Sequence, residues 1–149
     1  MPRGEKVLLD TSTLAAYFGR EPTSQVAAAL IDDFVRSERN RAVVSAVSAT
    51  ELLVRPLRAG SDDVARSILE FLRTFANVDV VPIDLTVASM AATLRAREGM
   101  KVADALIAAS GLDRAASVAF SDDAGWPAVL ARGPATMKVL ALRSFLPFA

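Results

Sequence analysis

Residues 7–13 read Val7-Leu8-Leu9-Asp10-Thr11-Ser12-Thr13, an apolar run closed by one acid and three hydroxyls. Val7, Leu8 and Leu9 show no polar alternation, which suits a strand covered on both faces, as in a parallel α/β sheet. Asp10 then falls at the carboxyl end of that strand, where ligands collect in open parallel sheets. Thr11, Ser12 and Thr13 offer N-cap oxygens for a helix through Leu14–Phe18. The plain alternative is that Asp10 is itself only a capping aspartate.

Outward from this stretch, strands and helices alternate. Gly19–Pro22 breaks the pattern, and Thr23 or Ser24 can cap a helix to about Ser37. Ala42–Ser45 reads as a second strand. Ser45 or Ser48 opens a helix to about Arg58, closed by Ala59-Gly60. A further helix over Ser61–Ala76 makes the two an antiparallel hairpin. Val78–Ile83 is a third strand, and Asp84 or Thr86 starts a helix to Glu98 that Gly99 ends. A helix over Val102–Leu112 and a fourth strand over Ala116–Phe120 follow. Ser121–Pro127 reads as a polar turn, then a single helical turn, then a fifth strand over Met137–Leu142. Phe145, Leu146 and Phe148 give the tail an apolar face to pack on the body or on a partner. This order predicts a three-layer α/β fold, a mainly parallel central sheet flanked by helices, as a single domain over residues 1–149.

Composition narrows the chemistry. The 149 residues are 52% hydrophobic and 23% charged, the balance of a globular domain. There is no cysteine and no histidine, which removes disulfides, thiol nucleophiles, imidazole bases and zinc sites of the Cys/His kind. A metal would have to be held by oxygen, which favours Mg²⁺ or Mn²⁺. Formal charge is zero, 17 basic residues against 17 acidic, and 14 of the basic residues are Arg. If several acids share one pocket, the remaining surface is net basic and suited to phosphate contacts. The opening MPRGEK lacks the apolar core of a signal peptide. No apolar run is long enough for a membrane span. A cytoplasmic protein with no membrane partner is therefore expected.

Among the acids, Asp104 is the only charged residue between Lys101 and Asp113, on a helix apolar nearly all round. A carboxylate there needs a cation, hydrogen-bond donors or a cavity; an acid in the first helical turn that merely suits the dipole is the alternative. Asp122 and Asp123 follow a strand end, as Asp10 does, although adjacent acids in a loop also make Asx turns. Glu51 lies on a polar helix face with Ser48, Arg55 and Arg58, where an ion pair with Arg55 would account for it.

Taken in order, VLLDTST, a helix carrying SATELL (48–53), VADALIAAS (102–110) and a strand ending in SDD (121–123) resemble the PIN-domain ribonucleases. Within that family the pattern resembles the VapC-type toxins of toxin–antitoxin pairs. The resemblance runs from Val7 to about Val139. It implies catalytic acids at Asp10, Glu51, Asp104 and Asp123, with Asp10, Asp104, Asp123 and Asp122 as candidate metal ligands and Ser12 and Ser121 in support. Where the family often has a further acid this chain has Gly125, while Trp126 keeps the aromatic, so the division of labour between Asp122 and Asp123 stays open. A homodimer and a cognate antitoxin are further implications of the resemblance.

Carboxylates that converge repel one another and raise each other's pKa, and Mg²⁺ or Mn²⁺ relieves this. The resemblance implies endonucleolytic cleavage of RNA, and with no histidine to act as base the natural route is in-line attack by a metal-activated water. Arg55 and Arg58 are the first candidates to hold RNA phosphates, with Arg95, Arg97 and Lys101 next. Two other acid-centred classes fit less well. Leu14 stands where a D-x-S-x-S adhesion motif needs serine, and Ser12 where a haloacid dehalogenase-type hydrolase needs a second aspartate. The main alternative is a catalytically silent PIN-like module that binds RNA or protein.

Overall fold

The computed structural model describes residues 4–19, 22–36 and 40–146; Ser37 and Phe148 lie outside them. Six strands form one sheet: β1 (Lys6–Leu9), β2 (Arg41–Ser45), β3 (Val78–Val81), β4 (Val118–Phe120), β5 (Val129–Arg132) and β6 (Ala135–Leu140). Their order is β3-β2-β1-β4-β6-β5. β1 pairs in parallel with β2 and β4, β2 with β3, and β4 with β6, while β5 alone runs antiparallel, against β6. VLLDTST thus ends a central strand.

Helices cover both faces, because successive strand side chains point to opposite sides. Leu8, Val43 and Ala119 look toward one apolar cluster, built with α5 (Leu85–Glu98) and α6 (Val102–Asp113). Val7, Leu9, Ala42 and Val44 look toward the other, built with α1 (Thr11–Phe18), α2 (Ser24–Ala28), α3 (Ala46–Arg58) and α4 (Asp62–Thr74). This is the three-layer α/β arrangement expected from the alternation. Among the described residues, no helix is long and apolar enough to cross a membrane.

Helix starts follow local hydrogen bonding. Ser45 caps α3, its hydroxyl accepting from Val47 N at 3.2 Å, and Asp84 caps α5, accepting from Val87 N at 2.9 Å. Gly99 closes α5 in the left-handed conformation, φ 67°. α6 is the most enclosed helix, with Ala105 and Ile107–Leu112 buried. A Cβ built on Gly111 would stand 2.8 Å from Leu8 Cδ2 and 2.9 Å from Met137 Sδ, so glycine lets α6 sit close against the sheet.

Three expectations are corrected. Residues after Pro127 form no helical turn: Val129–Arg132 is an edge strand, paired with β6 through a turn at Gly133, φ 57°. The sheet therefore has a sixth strand, held inward by Leu130, which is fully buried. The second helix is not α-helical throughout; after Ala28 it widens into a π-helical segment over Ala29–Val35. The hydroxyls of Thr11, Ser12 and Thr13 do not cap α1, whose N-cap position is Asp10, without a side-chain cap bond. They are used elsewhere.

Candidate functional site

Asp10 is 4% exposed and sits between β1 and α1. Its backbone N–H donates to Phe120 O at 3.1 Å, fastening the end of β1 to the end of β4. Thr13 Oγ1 adds a second tie, donating to the same carbonyl at 2.8 Å. One oxygen of Asp10, Oδ2, accepts from Ser121 Oγ at 2.7 Å and from Ser12 Oγ at 3.1 Å. Each hydroxyl then accepts from the loop after β4: Asp123 N donates to Ser121 Oγ at 3.2 Å, and Asp122 N to Ser12 Oγ at 3.1 Å. Two short relays therefore link the Asp10 carboxylate to the backbone that presents Asp122 and Asp123.

Glu51 stands exposed on α3 and makes no ion pair with Arg55 among the described residues. Instead its Oε1 accepts from Thr11 Oγ1 at 2.6 Å, and the same hydroxyl is hydrogen-bonded to the buried Ser48 Oγ at 3.0 Å. Thr11 thus turns Glu51 back toward the start of α1. Arg55 and Arg58 follow on the exposed last turn of α3, and neither is ion-paired among the described residues.

Asp104 lies in the first turn of α6 and is half-buried, less enclosed than the apolar helix around it suggests. The two adjacent acids after β4 part company. Asp123 is exposed, its Oδ1 accepting from Gly125 N at 2.8 Å. Asp122 turns toward the segment after β6, where its Oδ1 accepts from Arg143 N at 3.2 Å and its carbonyl from Arg143 Nη1 at 2.8 Å.

Electrostatics relate these acids to one another. Burial pushes the Asp10 carboxyl above its usual pKa, and nearby Glu51 adds to the rise. Bonds from Ser121, the Thr11 N–H and Ser12 oppose it. Burial also raises Asp104, reinforced by the charges of Asp123, Asp10 and Glu51 and opposed by the Trp126 indole. Asp104 thus feels Asp123, Asp10 and Glu51, the three other acids that the resemblance implies for catalysis. Among the described residues, however, no three acids close on one point as ligands of a metal ion do. The donor set fits a hard divalent cation in its chemistry, all oxygen and mutually repelling; its carboxylates are not drawn together.

Sequence reasoning missed Thr11 as the partner of Glu51, Thr13 as a strand tie and Arg143 altogether. The first two lie in the opening stretch, where hydroxyls that cap and hydroxyls that tether look alike. Arg143 gives no signal in a sequence without its fold.

A family profile described as PIN domain matches residues 7–130. No curated protein matches the chain. Among solved structures, DNA-bound VapBC from Salmonella typhimurium is similar with a TM-score of 0.65 at 18% identity, covering 93% of this chain and 98% of that one. Mycobacterium tuberculosis VapC20, a toxin that cleaves the sarcin-ricin loop, has a TM-score of 0.65 at 16% identity, over 79% of this chain and 90% of its own. FitAcB from Neisseria gonorrhoeae has a TM-score of 0.61 at 22% identity, over 80% and 88%. At such identities the likeness is one of fold.

Proposed function

The chain belongs to the PIN-domain family, and from that premise we propose that it is a metal-dependent endoribonuclease, the toxin of a toxin–antitoxin pair. The observation that carries the reading is electrostatic: burial raises the Asp104 carboxyl, and the charges of Asp123, Asp10 and Glu51, three acids from three other segments, raise it further. Acids so placed destabilise a metal-free fold unless the charge is used.

Asp10, Asp104 and Asp123 would hold a Mg²⁺ or Mn²⁺ ion, with Glu51 beside them. When bound, such an ion supplies Lewis-acid activation of water and offsets charge on the phosphate being cut. The chain's own residues do the rest. Ser12 and Ser121 fix the orientation of Asp10, and Thr11 holds Glu51 within reach. Arg55 and Arg58, on the same helix as Glu51, would take flanking phosphates of the RNA. Asp122, engaged with Arg143, serves to hold the loop. A cognate antitoxin, a homodimer and a cytoplasmic setting belong to the same proposal, on the pattern of the VapBC complexes.

The test is cleavage of a mixed RNA pool by the purified protein with Mg²⁺ or Mn²⁺, repeated in excess EDTA. Cleavage that EDTA abolishes, and that Asp104→Asn removes, is the expected result. Full activity in EDTA overturns the metal requirement. Binding of RNA without cleavage under every cation favours the silent-module reading.

A further inference from the structure

Trp126 is the only tryptophan in the chain, and it is 7% exposed. It belongs to the apolar cluster that contains Ala105 and Ala108 of α6. Its backbone N–H donates to Asp123 O at 3.3 Å, so Trp126 also closes the turn that presents Asp123. Its Nε1 is buried without a hydrogen-bond partner, alone in this among the side-chain polar atoms of the described residues. A buried donor left unpaired costs about 1–3 kcal/mol, and such groups in native proteins call for an explanation.

The neighbouring acid supplies one. Asp10 has Ser12 and Ser121, Glu51 has Thr11, and Asp123 has the Gly125 N–H. Among the described residues, Asp104 is the one acid of the four for which no donor completes a hydrogen bond. The Trp126 indole faces it closely enough to favour its charge, yet falls short of bonding geometry. A buried donor without a partner thus stands beside a carboxylate that no protein donor holds. A carboxylate that ligates a cation through one oxygen is commonly steadied by a donor on the other.

We propose that Trp126 is a positioning residue: its indole N–H takes one oxygen of Asp104 when a divalent cation is bound, so that the other oxygen is turned to the ion. This rests on the reading of these acids as a cation site. The aromatic ring fills the cluster, and the N–H selects the rotamer of Asp104.

Because Trp126 is unique, biosynthetic replacement of tryptophan by benzothienylalanine changes one atom group only, putting sulfur in place of N–H in a ring of the same shape. The probe is Mn²⁺, followed by electron paramagnetic resonance on the whole chain. Metal-free melting should be unchanged or higher, since an unpaired donor is removed. Mn²⁺ binding should weaken by about tenfold or more, and the difference should vanish in an Asp104→Ala background, which removes the acceptor. Equal Mn²⁺ affinity with and without the N–H overturns the positioning role and leaves the cation site standing. A loss that persists in Asp104→Ala also overturns it, because the N–H then acts through something else. Failure of the unaltered protein to bind Mn²⁺ overturns the cation site itself.

Discussion

Asp10 concentrates the conflict between stability and use at one residue. Folded Asp10 and Asp104 hold their protons at pH values where the unfolded chain has already released them. The folded state then binds more protons than the unfolded one, so this contribution to stability is full below the ordinary value of 3.8 and is lost as pH rises through the raised folded value. In EDTA at neutral pH, Asp10→Asn should therefore melt a few degrees above the parent, about 1 kcal/mol, with the gap closing toward pH 4. Differential scanning calorimetry across that range checks it; a variant that melts well below the parent at neutral pH makes Asp10 structural. The pair after β4 allows a second residue-scale prediction. Asp122 is occupied by Arg143, and Asp123 acts on Asp104. Asp123→Asn should abolish cleavage or demand much more Mn²⁺, and Asp122→Asn should stay near normal. Titrating activity against Mn²⁺ decides between them, and the reverse order moves the fourth ligand to Asp122.

At the scale of elements, the caps at Ser45 and Asp84 and the glycine stop at Gly99 were legible, because each needs only its own neighbours. The hydroxyls after Asp10 were not. Capping and tethering call for the same small side chains, and what separates them is distant in sequence: α3 for Thr11, the end of β4 for Ser12 and Thr13. β5 escaped notice because only Leu130 of its four residues is buried, leaving no alternating pattern to read. Legible too were Asp10 and Asp104 as candidates, from a strand end and a lone charge on an apolar helix. Glu51 needed the family resemblance, since its tie to Thr11 crosses two elements. Two elements carry predictions. Gly111→Ala forces a Cβ against Leu8 and Met137 and should destabilise by about 1–3 kcal/mol in chemical denaturation. The short helical turn Leu142–Phe145 bears on the site through Arg143. Arg143→Ala should leave the circular dichroism spectrum unchanged and raise the Mn²⁺ needed for half-maximal cleavage several-fold; an unchanged requirement means that this clamp is idle.

At the scale of the whole molecule, the fold class was the most legible property, since apolar runs flanked by helical periodicity admit few arrangements. How the parts meet is less local. β1 is made first and occupies the centre, yet one of its two partners is β4, with Leu9 opposite Phe120. That pairing has a consequence in time. A chain emerging from the ribosome carries Asp10 and Glu51 early, but the backbone that orients Asp10 and presents Asp123 is synthesised last among the site's parts. Contacts so distant in sequence form late and cooperatively. On the function proposed above, a partly made chain is inert toward RNA. The proposed site is complete only once β4 has paired with β1.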